Sequence, residues 1–150
     1  MTEAQSATQS RELIATRVLN APRSLVFQAF RDPQHLAQWW GPKGFTNTIH
    51  AYDFRPGGDW AITMHGPDGV DYRNENTFAE LVESERLVID HVSWPKFRLT
   101  ITLSDQDGKT LVTWHQVFES VADFEKVKPF AAQGNVDNLE RLAAVVASLQ

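Results

Sequence analysis

Four turn-forming clusters divide the middle of the chain into strand-length segments, and their spacing constrains the fold more than any other feature. The clusters are Arg55-Pro-Gly-Gly58, Gly66-Pro-Asp-Gly69, Glu83-Ser-Glu-Arg86 and Asp105-Gln-Asp-Gly108. The segments that they bound are Phe45–Phe54, Asp59–His65, Val70–Val82, Leu87–Trp94, Phe97–Ser104 and Thr110–Phe118. Parallel neighbours would need crossover connections of a dozen or more residues, and these links are far shorter. The spacing therefore predicts an antiparallel sheet.

The sequence on either side of these segments predicts one more strand and three helices. Alternation in Arg11–Leu19 predicts a first strand, and two short helices follow, one ending near Arg31 and one beginning at Asp32-Pro33. The last helix is predicted to begin at a cap, Asn135, and to span about fourteen residues, or ~21 Å. Its apolar stripe consists of Val136, Leu139, Leu142, Val146 and Leu149.

This order of elements predicts an α+β fold with a cavity. A twisted antiparallel sheet of six or seven strands has a concave buried face, and one slender helix cannot fill all of it. Aromatic side chains then either line the remaining space or simply pack the core, and both interpretations stay open.

Two strands carry polar side chains that could face such a cavity. Tyr72, Asn74, Asn76 and Phe78 share one strand face, and Gln116 lies between Trp114 and Phe118 on another. The asparagines either contact a ligand or lie on a wet sheet face. Gln116 either orients a ligand or pairs with a neighbouring polar group or water.

The chain shows no pattern typical of nucleophilic or metal catalysis. On a strand, Asp90 and His91 would point to opposite faces, and His91 and Ser93 would lie about 7 Å apart. There is no Gly-x-Ser-x-Gly turn and no His-Glu-x-x-His pair among the five histidines. We therefore predict no catalytic residue, no metal and no cofactor.

Composition limits the possible partners and compartment. The net charge is −5 and no basic block stands out, which does not favour nucleic acid. There is no cysteine, no signal-peptide pattern and no apolar run long enough to span a bilayer. We expect a cytoplasmic protein with a disordered polar tail at residues 1–10 and a single domain at residues 11–150. A monomer and a homodimer are both open.

Six short motifs, in order, carry a family resemblance that covers residues 11–149. They are Ala21-Pro-Arg-Ser-Leu-Val-Phe-Gln-Ala-Phe30, Trp39-Trp-Gly-Pro-Lys-Gly-Phe45, Asp53-Phe-Arg-Pro-Gly-Gly-Asp-Trp60, Gly66-Pro-Asp-Gly69, Glu85-Arg-Leu-Val88 and Asn138-Leu-Glu-Arg-Leu142. The sequence resembles the activator of heat-shock-protein-90 ATPase homologue family, within the START-like or SRPBCC superfamily. The resemblance implies the helix-grip fold of the birch pollen allergen, a curved antiparallel sheet wrapped around a long C-terminal helix.

The resemblance also implies a function in binding, which we expect to involve a small apolar or amphipathic ligand in the cavity. The predicted ligand-binding residues are aromatic, amide and adjoining side chains: Trp39, Trp40, Phe45, Trp60, Met64, Tyr72, Asn74, Phe78, His91, Trp114, Gln116, Phe130, Asn138 and Leu142. One alternative is a co-chaperone-like, stress-response domain that binds a chaperone partner. Another is an enzyme similar to polyketide cyclases or hydrolases, which would use a histidine or carboxylate as acid or base.

Overall fold

A computed structural model describes residues 11–150 of the chain. The tail predicted at residues 1–10 lies outside the described residues. Seven strands form one antiparallel sheet in the order β1-β7-β6-β5-β4-β3-β2. They are β1 (Glu12–Leu19), β2 (Thr46–Tyr52), β3 (Asp59–His65), β4 (Asp71–Val82), β5 (Arg86–His91), β6 (Phe97–Gln106) and β7 (Lys109–Phe118). The antiparallel sheet that the turn spacing predicts is confirmed.

Three helices complete the described fold. Helix α1 is Arg23–Arg31, α2 is Pro33–Trp39, and α3 is Val121–Ser148. The side chain of Asp32 caps α2 by accepting a hydrogen bond from the Gln34 N–H at 2.9 Å. Within residues 11–150, no helix combines the length and the apolar content that crossing a membrane requires. The α+β helix-grip architecture is thus confirmed.

The predicted start of the last helix is wrong. Helix α3 has 28 residues, about twice the expected number, and its cap is Ser120, whose Oγ accepts from the Asp123 N–H at 3.2 Å. Asn135 lies inside the helix and is buried. The first half has no apolar stripe to predict it, because most of its side chains contact solvent or a pocket. It also contains Pro129, and proline usually breaks a helix.

The second half of α3 packs on the core. Leu139, Leu142 and Val146 are buried there, as the predicted stripe requires, whereas Val136 is exposed, contrary to prediction. Val136 differs because it lies on the outer side of the helix, while its neighbours Asn135, Asp137 and Asn138 are buried. The stripe that faces the core therefore begins at Leu139.

The concave face of the sheet carries the aromatic and amide side chains of β4 and β7 that the sequence singled out. Asn76 and Phe78 are buried, as are Trp114, Gln116 and Phe118. A bulge in β4 falls after Phe78, so the parity of Tyr72, Asn74 and Asn76 is preserved. Asn74 and Asn76 therefore lie on the concave face and not on a wet outer face of the sheet.

Candidate ligand-binding pocket

An open pocket of about 900 Å³ lies between the concave sheet face and the first half of α3. Strands β3 to β7 form its floor, the segment between α2 and β2 forms one rim, and the turn between β5 and β6 forms another. Residues 126–138 of α3 supply the opposite wall. The pocket thus opens where α3 leaves the core, because the helix there has no apolar stripe to pack against the sheet.

The structure brings most of the predicted site residues together at this pocket and places the others behind it. Those that line it are Trp40, Phe45, Met64, Tyr72, Asn74, His91, Trp114, Gln116, Phe130 and Asn138. The fully buried core contains the remaining ones, Trp39, Trp60, Phe78 and Leu142.

Trp40 joins the core to the pocket. Its ring centroid lies 4.7 Å from that of Trp60 and 5.5 Å from those of Trp39 and Trp114, within the range of attractive aromatic pairs. Trp40 and Trp114, which line the pocket, therefore pack against the buried rings of Trp39 and Trp60. The apolar floor of the pocket is thus continuous with the core.

The mouth of the pocket carries large aromatic side chains that contact solvent. Trp94 is 61% exposed and Phe130 is 77% exposed, and Tyr72 on β4 is also exposed. Exposed aromatic surface is thus concentrated at one opening, a feature that often marks an interaction site.

Of the buried ionisable side chains in the pocket wall, His91 and Asp137, His91 lies on the sheet. It ends β5, its ring stacks on Phe97 with centroids 4.4 Å apart, and its Nδ1 lies 2.7 Å from the carbonyl oxygen of Pro95. Its Nε2 lies 2.8 Å from Oδ1 of Asn74. Burial lowers the pKa of His91 from its ordinary value, against a smaller opposing effect of its backbone hydrogen bonds.

The expectation that His91 and Ser93 share one strand face is wrong, because Ser93 lies beyond the end of β5. Oγ of Ser93 lies 3.5 Å from Nε2 of His91, because β5 ends at His91 and the chain turns there. Ser93 Oγ accepts a hydrogen bond from the Glu75 N–H. Asp90 lies elsewhere and forms a two-pronged ion pair with Arg98, so these residues do not form a triad.

Amide side chains form a second polar group across the pocket. Nδ2 of Asn135 donates to Oε1 of Gln116 at 2.9 Å, and both side chains are buried. Gln116 thus pairs with a neighbour, as one of the two interpretations expected, and also lines the pocket. Asn76 donates to the Trp60 carbonyl at 3.3 Å.

Arg141 holds the rim formed by residues 40–45. Its guanidinium donates to five backbone carbonyls at 2.8–3.0 Å, those of Gln38, Trp40, Gly41, Pro42 and Phe45. Burial lowers the pKa of Arg141, with a smaller opposing effect of Asp137. Oδ1 of Asn138 accepts from the Gly41 N–H at 2.9 Å. Asn138 and Arg141, which lie one turn apart on α3, therefore both hold this loop by hydrogen bonds.

Gly41 adopts a backbone conformation in the same loop that favours glycine. Its φ is +96°, and a Cβ added there would lie 2.8 Å from the Met64 Cε and 3.2 Å from the Phe45 Cβ. The left-handed φ is what favours glycine here, since the Met64 end is flexible and could move aside. Gly41 lets the loop approach the pocket floor closely.

Sequence reasoning missed several lining residues, among them eight on α3: Lys126, Val127, Pro129, Ala131, Gln133, Gly134, Asn135 and Asp137. It also missed Gly41, Pro42, Trp94, Pro95 and Phe97. Recognising Ser120 as a cap three residues before Asp123 would have given the start of the helix. Two further lining residues are Leu99 and Asn76, and Asn76 lies on the same strand face as Asn74. No group of three or more metal-binding side chains occurs within residues 11–150.

Comparison with known proteins identifies the family. A comparison with curated proteins finds no match. A solved structure from Arthrobacter aurescens has a TM-score of 0.86 at 24% identity, covering 94% of this chain and 88% of its own. A structure from Nitrosomonas europaea has a TM-score of 0.84 at 20% identity, covering 95% of this chain and 97% of its own. A structure from Chromobacterium violaceum has a TM-score of 0.81 at 27% identity, covering 89% of this chain and 96% of its own. The family model for activator of Hsp90 ATPase homolog 1-like proteins matches residues 20–147, and the chain belongs to that family.

Proposed function

We propose that this protein reversibly binds a small apolar or amphipathic molecule in the pocket between the sheet and the first half of α3. The observation that carries the proposal is the pocket itself, whose volume of about 900 Å³ suits a compact organic ligand. Its floor and mouth are aromatic, and its polar side chains are mainly amides, with His91 on the sheet and Lys126 and Asp137 on α3. This combination supports binding by apolar burial, with orientation supplied by a few hydrogen bonds.

A neutral environment-sensitive dye such as Nile red tests this proposal directly. Its emission should rise saturably with the wild-type protein, because the dye leaves water for an apolar wall. Replacing Ala131, which lines the pocket, by Phe should weaken binding at least about fivefold by filling the space. The matched control is Ala144→Phe, at an exposed position on the same helix outside the pocket. Equal binding by both variants and wild type would contradict the proposal.

A chaperone partner is the second candidate function, and the exposed aromatic mouth is the observation that favours it. Trp94 and Phe130 could insert into a protein surface as well as cover a ligand. A pull-down with purified bacterial Hsp90 at physiological salt distinguishes the two functions. Capture that is lost in Trp94→Ala but kept in Ala131→Phe would support partner binding, and no capture by wild type would refute it.

A further inference from the structure

The hydrogen-bonding state of His91 follows from its immediate neighbours. Nδ1 lies 2.7 Å from the carbonyl oxygen of Pro95, which can only accept. Nδ1 must therefore carry a proton. In a neutral imidazole the other nitrogen, Nε2, then holds a lone pair and can only accept.

Asn74 presents its oxygen, not its nitrogen, to this lone pair. Its Nδ2 is directed toward the carbonyl oxygen of Tyr72 at 3.3 Å and the sulfur of Met64 at 3.2 Å. Its Oδ1 is the atom that lies 2.8 Å from Nε2 of His91. Ser93 Oγ, at 3.5 Å, is too distant to supply a good hydrogen bond to Nε2.

The neutral form of His91 is the one that the surroundings favour. The side chain is 8% exposed, and burial lowers its pKa. The charged side chains that line the spaces on either side of it are Arg11, Asp90, Lys96, Arg98, Glu119, Lys126 and Asp137. Asp90 is paired with Arg98, and none of these side chains is a cause of the change in pKa. Two acceptors therefore face each other on the pocket wall, and among residues 11–150 no good donor lies between them.

The geometry points to an uncharged aromatic ligand whose O–H or N–H group is shared between Nε2 of His91 and Oδ1 of Asn74. This inference rests on the proposed function, since it describes the ligand of the same pocket. A donor there satisfies two acceptors that otherwise repel each other. A carboxylate would add a third set of lone pairs at the same point, and a charged group held between these two neutral acceptors would lose its hydration without gaining an opposite charge. The ring of the ligand would lie over Phe97 and Leu99, which line the adjoining floor.

Three naphthalenes of similar shape test the inference by isothermal titration calorimetry at pH 7.5. 2-Naphthol carries a donor, 2-methoxynaphthalene carries only an acceptor, and 2-naphthoate carries a negative charge. Wild type should bind 2-naphthol about tenfold more tightly than 2-methoxynaphthalene, as expected for one hydrogen bond at a buried site. It should bind 2-naphthoate most weakly.

Variants locate the effect at the acceptor pair. His91→Phe keeps an aromatic ring to stack on Phe97 but has no lone pair, and Asn74→Leu replaces the amide by an apolar group of similar size. Each should reduce the preference for 2-naphthol to about twofold or less. His50→Phe, at an exposed histidine bonded to Thr63, should keep the wild-type preference. If His91→Phe does not fold, Asn74→Leu carries the test.

The outcomes separate this inference from the proposed function. Equal affinity of wild type for 2-naphthol and 2-methoxynaphthalene would overturn the donor assignment while leaving the pocket as a ligand site. A preference that survives in both His91→Phe and Asn74→Leu would also overturn it. Failure of all three compounds and of Nile red to bind would refute the proposed function as well.

Discussion

At the scale of single residues, Arg141 links parts of the chain that are about a hundred positions apart. Its guanidinium donates to five carbonyls of residues 38–45, and its removal deprives all five of a charged donor. The Trp40 and Pro42 carbonyls each keep a second donor, the Asn47 side chain and the Phe45 N–H. We expect Arg141→Met to lower the free energy of unfolding by about 2–4 kcal/mol, measured by urea denaturation.

The control for this substitution is Arg17→Met, at an exposed arginine on the outer part of β1. It should change stability by less than about 0.5 kcal/mol. If the two variants were equally stable, the guanidinium would not be what holds the rim.

The pKa of His91 predicts a pH dependence of stability. Because burial lowers that pKa in the folded state below its ordinary value of 6.5, the unfolded chain binds a proton more readily. The contribution of His91 to stability is therefore complete above about pH 6.5 and is lost as the pH falls toward the lowered pKa.

Urea denaturation at pH 5 and pH 7 checks this expectation. Wild type should gain more stability between pH 5 and pH 7 than His91→Phe does, because the variant lacks the titrating group. His50→Phe is the control: it also removes one histidine, and its gain in stability between pH 5 and pH 7 should match that of wild type. A pH dependence unchanged in His91→Phe would show that its pKa is not lowered.

At the scale of elements, the two halves of α3 have different roles. The second half buries Leu142 in the core, whereas the first half exposes Phe130 at the mouth of the pocket. We expect Leu142→Ala to cost about 2–5 kcal/mol of unfolding free energy, and Phe130→Ala less than about 0.5 kcal/mol. Phe130→Ala should instead weaken the binding of Nile red. A large loss of stability in Phe130→Ala would contradict this division.

Pro129 gives a second expectation for the same helix. Proline has no N–H to donate to the carbonyl one turn earlier, and it is the least favourable residue in a helix interior. Pro129→Ala should therefore raise the free energy of unfolding by about 1 kcal/mol or more, with the neighbouring exposed position Lys128→Ala as control. No gain, or a loss, would mean that the backbone at residue 129 cannot accept an ordinary helical hydrogen bond.

The elements differ in how far the sequence could predict them. The strand from Asp59 to His65 coincides with its predicted segment, because turn residues bound it on both sides. The start of α3 was not predictable from apolar periodicity, because that signal reports burial, and residues 125–131 are mostly exposed. The helix half that was missed is the half that walls the pocket.

At the scale of the whole molecule, short links between strands determine the architecture, while contacts between distant residues determine the shape of the pocket. Strand alternation indicated which side chains of β4 and β7 share a face, but not which face is concave. The rim depends on Arg141 reaching residues 38–45, and the acceptor pair depends on the turn that follows His91. Neither contact has a signature in local sequence, so the lining residues could be predicted only in part.

Mapping amide chemical shifts during a titration with 2-naphthol tests the central claim most directly, namely that a ligand lies between the sheet and the first half of α3. The account predicts the largest shifts at residues 40–45, 72–76, 91–99 and 126–138, with little change in β1 or in residues 142–148. Shifts concentrated on the outer face of the sheet or on the second half of α3, with none at the pocket, would contradict it.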